Sequence, residues 1–179
     1  MKFDFRPESS PTGPRWGLCC QFAEQPIAFR TTTATSLLRM SLVSRRKKLS
    51  DLCLSNAESL LAALRFCANN NIGSFRIAST ILPIKTHPEA GYRIDDLPDF
   101  DRIVETFRRC GDFAKAHDIR TVFHPDQFVV LNSPREEVIA RSIADLEYHA
   151  EVAEWVGADA INIHGGGAYG DKSAALASL

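Results

Sequence analysis

Residues 121–164 read TVFHPDQFVVLNSPREEVIARSIADLEYHAEVAEWVGADAINIH, and this stretch decides the fold. Two short apolar runs, at 121–124 and 160–164, flank a segment of helical periodicity at 135–157. Gly157 closes the helical pattern, as glycine commonly does after a last turn. A strand, a helix and a second strand in this order predict one unit of a parallel α/β sheet.

The same alternation runs through the rest of the chain. We expect further strands at 16–22 and 74–79, helices at 50–71 and 99–118, and another helix that begins near Lys172. No G-x-G-x-x-G pattern follows the first strand, which disfavours a dinucleotide-binding sheet. A full (β/α)8 TIM barrel takes about 250 residues. The sequence therefore predicts an α/β protein with an incomplete TIM barrel of about four βα units.

The domain organisation follows from composition. Residues 1–13 are rich in Pro, Ser and Gly and predict a disordered arm, and residues 14–179 predict the N-terminal part of a barrel domain. A half-barrel has unpaired edge strands, so we expect the isolated polypeptide to be marginally stable or to aggregate. No apolar run reaches the roughly 18 residues of a membrane-spanning helix, and no secretory signal is visible, so a soluble, cytoplasmic chain is expected. The five cysteines, Cys19 and Cys20 among them, lack zinc-site spacing and predict reduced thiols.

Positive charge is concentrated in one segment. Between residues 25 and 50 the chain has six basic residues and no acidic one, whereas the remainder has 15 basic and 22 acidic residues. A polyanion can dock on such a segment, with Arg45, Arg46, Lys47 and Lys48 as the candidate contacts. The alternative is a solvated helix face or a flexible loop.

Three histidines follow successive predicted strands, namely His87, His124 and His164. The carboxyl ends of parallel strands lie at one end of a barrel, so we expect these imidazoles to converge. Neutral imidazoles bind Zn, Mn or Fe-type ions, which predicts a divalent metal site. Each histidine taken alone could equally be a core or loop residue bonded to a backbone carbonyl. His117 and His149 lie in predicted helices and are expected to be structural.

Two further segments suggest nucleic-acid chemistry. The glycine run at 165–167 precedes Lys172 at a helix start, and close backbone approach, helix amides and a lysine together suit a phosphate. A tight turn is the alternative. Gln127 and Phe128 offer an amide and a ring that can stack on or wedge between bases. Alternatively, Phe128 packs beneath its own loop.

Several motifs together resemble the UV damage endonuclease family, from about Arg15 to the last residue: RWGLCC, NAESLLAALRFCANNNIGSFRIAS, LPIKTHP, FHPDQFVVLNSP and HGGGAYGDK. The resemblance implies an eight-stranded barrel related to xylose isomerases and apurinic endonucleases. It implies a cluster of divalent ions, often Mn²⁺, with Mg²⁺ or Zn²⁺ as alternatives. The implied activity is incision of damaged double-stranded DNA on the 5′ side of UV photoproducts, by a monomeric enzyme.

The resemblance also implies roles for individual residues. His87, His124 and His164 correspond to metal ligands, Gln127 and Phe128 to a pair that probes the lesion, and Lys172 to a lysine of the glycine-rich motif.

The chain departs from the family in two ways. Family members often read G-Y-x-C-x-N at the first strand, where this chain has Gly17-Leu18-Cys19-Cys20-Gln21-Phe22. The family's acidic metal ligands come from later strands, and this sequence has no corresponding positions. Two alternatives therefore stay open: a divalent-metal sugar isomerase or epimerase barrel, and a non-catalytic, DNA-binding or inert half-barrel. The basic segment and Gln127-Phe128 favour DNA over a sugar, and the half-barrel is the preferred description of the 179-residue polypeptide.

Overall fold

One parallel sheet organises the part of the chain that the computed structural model describes, residues 15–19 and 21–178. The predicted arm at 1–13 and Cys20 lie outside these residues. Consecutive strands are neighbours throughout, in the order β1 (Gly17–Leu18), β2 (Ser74–Ile77), β3 (Arg120–Phe123) and β4 (Ala160–Ile161). A doubly wound sheet would reverse this order at a switch point, so the topology is that of part of a barrel, as predicted.

Helices connect the strands and cover one face of the sheet. They are α1 (Ala34–Leu38), α2 (Leu42–Asn69), α3 (Phe100–Ala116), α4 (Glu136–Val156) and α5 (Lys172–Ala177), with a 3-10 turn at Ile94–Asp96. No helix in the described residues is both long enough and apolar enough to cross a membrane.

The first long helix begins earlier than the predicted 50–71. Ser41 is its N-cap, and the Ser41 Oγ accepts a hydrogen bond from the Ser44 backbone N–H at 3.2 Å. The basic residues of the charged segment are good helix formers, and they form the first turns of α2. Residues 45–48 are therefore helical and not a flexible loop, and docking of a polyanion on them stays a prediction.

Strand alternation separates a buried face of the sheet from an open one. Phe75, Ile77 and Phe123 are fully buried and pack with helix residues such as Leu60 and Phe107 in the core. Successive strand residues point to opposite faces, so the residues between them belong to the other face, which we call the open face. The open face carries the side chains considered below for function.

Asn56 is a polar residue of α2 that is fully buried and holds two loops together. Its Oδ1 accepts from the Arg30 N–H at 2.7 Å, and its Nδ2 donates to the Arg30 and Ile81 carbonyls, each at 2.9 Å. These bonds tie the chain after β1 and the chain after β2 to the same helix. The amide thereby positions two loops at the carboxyl ends of the strands.

Helix α4 buries polar rings and leaves an aliphatic side chain exposed. Ile143 is exposed, whereas Tyr148 and His149 are buried against the sheet. The Tyr148 Oη donates to the Ser79 carbonyl at 2.8 Å and accepts from the Leu82 N–H at 3.2 Å. The hydroxyl at the tip of the buried Tyr148 ring therefore helps to set the rotation of α4, because it needs partners that simple periodicity ignores.

The amino ends of the strands form a second surface, with structural ion pairs. Arg15 contacts Asp118 at 2.9 Å, and Arg120 contacts Asp159 at 3.0 Å. These pairs border a groove of about 590 Å³ that opens at the end of the sheet opposite to the histidines. In barrels this end contributes to stability, whereas chemistry occurs at the carboxyl ends.

Candidate metal and nucleic-acid site

Two of the three predicted metal histidines lie together on the open face. His124 directly follows β3, and His164 lies just beyond β4. Their ring centroids are 4.6 Å apart and the rings are tilted by 59°. Both side chains are half-buried. The parallel register of β3 and β4 therefore brings two imidazoles from successive βα units to one rim, as the sequence predicts.

Asn162 lies beside this pair and continues the pairing of the strands. Its backbone N–H donates to the Phe123 carbonyl at 2.9 Å. Its Nδ2 lies 3.5 Å from the His124 Nδ1. A carboxamide beside one ring nitrogen restricts the orientation of the His124 ring.

His87 takes a different arrangement. Its Nδ1 accepts backbone N–H bonds from Glu89 and Ala90, each at 3.2 Å. A neutral ring that accepts at Nδ1 carries its proton on Nε2, so in this conformation His87 offers a donor rather than a metal-binding lone pair. His87 is also absent from the residues that line the cleft around His124 and His164. Its role as a ligand stays a prediction.

The two imidazoles supply part of a metal-binding set. They border a cleft of about 280 Å³, lined by Arg76, Ile77, Ser79, His124, Pro125, Asp126, Gln127 and His164. Neutral imidazoles are suitable ligands for Mn²⁺ or Zn²⁺, and their proximity fits one ion. Within residues 15–19 and 21–178, however, no group of three or more His, Cys, Asp or Glu side chains is arranged to hold a metal. A complete site needs ligands from elsewhere.

The loop after His124 presents an aromatic ring to solvent. Phe128 is 76% exposed, whereas Val129 is buried. The Asp126 Oδ1 accepts from the Phe128 N–H at 3.0 Å, and the Asp126 carbonyl accepts from the Val129 N–H at 2.9 Å. This turn holds Phe128 outward, so the alternative in which its ring packs beneath the loop is wrong. The neighbouring Gln127 is exposed as well.

A larger cleft of about 790 Å³ adjoins the first. It shares Asp126, Gln127 and His164 with the first cleft and adds two exposed rings, Phe128 and Tyr169. Arg135 and Arg141 line it too, although Arg135 is paired with Glu137 at 2.6 Å. Exposed rings and guanidinium groups along one cleft suit bases and phosphates of nucleic acid. Strand and helix periodicity gives no signal for Tyr169, which lies in a loop.

One glycine of the run at 165–167, Gly166, packs against Asn132. Gly166 has a φ of +82°, and a Cβ there would lie 1.8 Å from the Asn132 Oδ1. The Asn132 Nδ2 donates to the Gly167 carbonyl at 2.9 Å and to the Ala175 carbonyl at 3.3 Å. Asn132 therefore joins the loop after β3 to the loop that follows His164, a role that no motif indicates.

The start of α5 does not offer free amides to a phosphate. Asp171 is its N-cap, and the Asp171 Oδ1 accepts from the Ser173 and Ala174 N–H groups at 2.9 and 3.0 Å. A carboxylate thus occupies the position that a phosphate would take, and the interpretation of this helix start as a phosphate site is wrong. Lys172 is exposed, and its predicted contact with DNA depends on charge alone.

The family assignment follows from comparison with known proteins. The family described as UV-endonuclease UvdE matches residues 14–179. The chain belongs to this family. A UV DNA damage endonuclease of Nostoc sp. (strain PCC 7120 / SAG 25.82 / UTEX 2576) is 35% identical over 159 residues, covering 86% of this chain and 48% of the relative. One of Bacillus thuringiensis subsp. konkukian (strain 97-27) is 36% identical over 153 residues, covering 82% and 46%.

A solved structure agrees with the fold of this UvdE-family chain. The crystal structure of SacUVDE superposes with a TM-score of 0.77 at 31% identity, covering 92% of this chain and 53% of that one. The chain spans about half the length of the relatives that it matches.

The basic segment of the UvdE-family chain lies at the same end of the sheet as the histidines. Helix α2 follows β1 and returns to the start of the parallel β2, so its first turns lie at the carboxyl ends of the strands. Two of its four candidate residues are ion-paired: Arg46 with Asp96 at 3.0 Å, and Lys47 with Asp51 at 2.5 Å.

The other two candidates of this segment make neutral hydrogen bonds. The Arg45 Nε donates to the Leu37 carbonyl at 3.1 Å, and the Lys48 Nζ donates to the Ser36 Oγ at 3.2 Å. The hydrogen bond with Asp51 raises the pKa of Lys47, which therefore stays a cation. The carboxylates nearby reduce the positive potential that residue counting suggests, and the contact of these residues with DNA stays a prediction.

Proposed function

We propose that this chain forms one side of the active site of a DNA-repair endonuclease, which incises the backbone 5′ to UV photoproducts by metal-assisted phosphodiester hydrolysis. The observation that carries the proposal is the His124–His164 pair, with ring centroids 4.6 Å apart, beside the exposed Phe128. The names of the relatives support the same activity. We expect the full-length protein to be a cytoplasmic monomer.

His124 and His164 would hold a divalent ion, which we propose to be Mn²⁺, with His87 as a further candidate ligand. A bound divalent ion supplies an activated water and charge neutralisation at the phosphate. The protein's own contribution is to fix the two imidazoles on adjacent strands, with Asn162 beside His124. This fixed arrangement keeps the ligand nitrogens in place without a rearrangement at each turnover.

The remaining residues would bind damaged duplex DNA. The exposed ring of Phe128 would stack on or wedge between bases at the lesion, and the Gln127 amide would form hydrogen bonds with base edges. Lys172 and the basic residues of α2, namely Arg45, Arg46, Lys47 and Lys48, would contact backbone phosphates. Such contacts are independent of sequence and weaken as the salt concentration rises.

Nicking of irradiated supercoiled plasmid in the presence of Mn²⁺ tests the proposal. With the remaining barrel strands present, as in the relatives of about twice this length, we expect nicking that depends on irradiation and is lost in His124→Ala and His164→Ala. His117→Ala is a matched control, because His117 ends α3 and its Nδ1 bonds to the Phe113 carbonyl. Equal nicking by the His124→Ala variant and the unmodified chain would remove the pair from the site.

A specific observation favours a second candidate function, a non-catalytic DNA-binding half-barrel. The described residues bring together two ligand histidines and no third ligand, and the relatives are about twice as long. In that case the chain would bind irradiated duplex, as measured by fluorescence anisotropy, without nicking it. The outward ring of Phe128 disfavours a sugar isomerase. Turnover of an aldose, without nicking of DNA, would instead support the isomerase.

A further inference from the structure

Arg76 is a cation on the open face with no assigned role. It lies in β2 between Phe75 and Ile77, which are both buried on the helix side, so its side chain belongs to the face that carries the histidines. It is half-buried, and it lines the smaller cleft with His124 and His164. The alternation of β2 gives the signal from which sequence analysis could have identified it.

The surroundings of Arg76 provide no counter-charge within the part of the chain that the structure describes. Its guanidinium has neither an ion pair nor a hydrogen bond with any residue of 15–19 or 21–178, whereas Arg120 on the same face is paired with Asp159 at 3.0 Å. Its cross-strand neighbour is Val122, which is uncharged. A partly buried cation without a partner is unfavourable, so this environment favours a bound anion.

We infer that Arg76 is the phosphate-binding residue of the cleft, with its planar guanidinium donating to two non-bridging oxygens of a phosphodiester. The fork of an arginine matches a phosphate in shape and charge, which a single imidazole does not. Gln127 and Ser79 line the same cleft and add neutral donors. The inference rests on the proposed function for the source of the phosphate, but binding of a phosphate anion does not depend on incision.

Asp126 is the carboxylate that lines this cleft, and it is engaged elsewhere. Its Oδ1 accepts from the Phe128 N–H at 3.0 Å, and it makes no ion pair with Arg76. The competing explanation is a structural ion pair between Arg76 and a carboxylate from another element. If Arg76 only forms a structural ion pair, its replacement leaves the affinity for phosphate unchanged. If Arg76 binds phosphate, its replacement lowers that affinity.

Titration of the chain with inorganic phosphate tests the inference, with the NMR signals of the arginine Nε–Hε groups as the readout. The resonance of Arg76 should shift with phosphate, and Arg76→Ala should weaken binding by about tenfold or more, with Arg76→Lys in between. Arg108→Ala is the matched control, because Arg108 is exposed on α3 and lines the groove at the amino ends of the strands. Absence of a phosphate-dependent shift at Arg76, or equal phosphate affinity of Arg76→Ala and Arg108→Ala, overturns the inference.

Binding of duplex DNA at several salt concentrations provides a second test. Loss of one phosphate contact should lower the slope of log affinity against log salt by about one in Arg76→Ala and leave it unchanged in Arg108→Ala. Unchanged slopes in both variants would contradict a phosphate contact at Arg76. A phosphate response at Arg76 in a protein that also contains the remaining barrel strands and still does not nick DNA would refute the endonuclease and leave this inference standing.

Discussion

The contact between Gly166 and Asn132 gives a prediction about the loop that carries His164. In Gly166→Ala, the new methyl group would lie 1.8 Å from the Asn132 Oδ1 and 2.6 Å from its Cγ. The carboxamide has to move away, which breaks its hydrogen bonds to the Gly167 and Ala175 carbonyls. Each such bond contributes about 0.5–1.5 kcal/mol, so the steric part of the cost is about 1–3 kcal/mol.

A backbone cost adds to this steric cost and can be measured separately. Alanine at the left-handed φ of +82° costs roughly 1–2 kcal/mol more than glycine. Gly170 has a φ of +93° with no atom within 4 Å of a built Cβ. Gly170→Ala therefore reports the backbone cost alone, and the difference between the two variants isolates the contact with Asn132.

Amide hydrogen exchange of the segment 165–178, measured by mass spectrometry, is the appropriate assay, because most of this segment is exposed and opens locally. We expect exchange in Gly166→Ala to be roughly 5- to 150-fold faster than in Gly170→Ala. In an Asn132→Ala background this difference should disappear. Equal exchange in the two glycine variants of the otherwise unmodified chain would refute the proposed packing.

Three further predictions concern stability and reactivity. Asn56→Ala should lower the free energy of unfolding by about 3–5 kcal/mol, because it removes the partner of one buried and two part-buried backbone groups. In urea denaturation, a loss no larger than that of the exposed Asn69→Ala would contradict the role of Asn56 as a link between two loops. Burial lowers the pKa of His149 below 6.5, so as the pH falls from about 7.5 to 5.5 the unfolded chain takes up a proton that the folded chain refuses, and stability falls. His149→Asn keeps a donor for the Asp145 carbonyl and should flatten the dependence of stability on pH, measured by urea denaturation. A pH profile that is unchanged in this variant would show that His149 is not the group responsible. Burial raises the pKa of three thiols to about 11 or 12, namely those of Cys53, Cys67 and Cys110. Alkylation of the native chain, followed by peptide mass spectrometry, should therefore modify the exposed Cys19 well before these three. Comparable alkylation rates would contradict their burial.

Elements that depend on local pattern were predictable from the sequence. The unit from β3 to β4 agrees with its apolar runs and its helical stretch, and strand register alone places His124 beside His164. His87 lies ten residues beyond β2, in a loop whose path depends on its own backbone hydrogen bonds, so register cannot place it. This difference explains why two of the three predicted histidines meet.

Polar residues with partners distant in sequence could not be predicted. Asn56 bonds to residues about 25 positions away on either side, and Asn132 bonds to residues more than 30 positions ahead. A helical pattern treats such side chains as solvent-facing, because it counts polarity without knowing which backbone groups need a partner. The early start of α2 was not predicted because residues 25–50 were interpreted from their charge, with a solvated helix face only as an alternative, and Ser41 was not considered as an N-cap.

Binding of Mn²⁺ to the imidazole pair is the central claim, and paramagnetic broadening of histidine ring resonances tests it most directly. Substoichiometric Mn²⁺ should broaden the signals of His124 and His164 together and leave that of His117, at the opposite end of β3, sharp. His124→Ala should abolish the broadening at His164. Broadening of His164 that persists in His124→Ala, or ring signals of both residues that stay sharp when Mn²⁺ is added, would contradict a shared metal site.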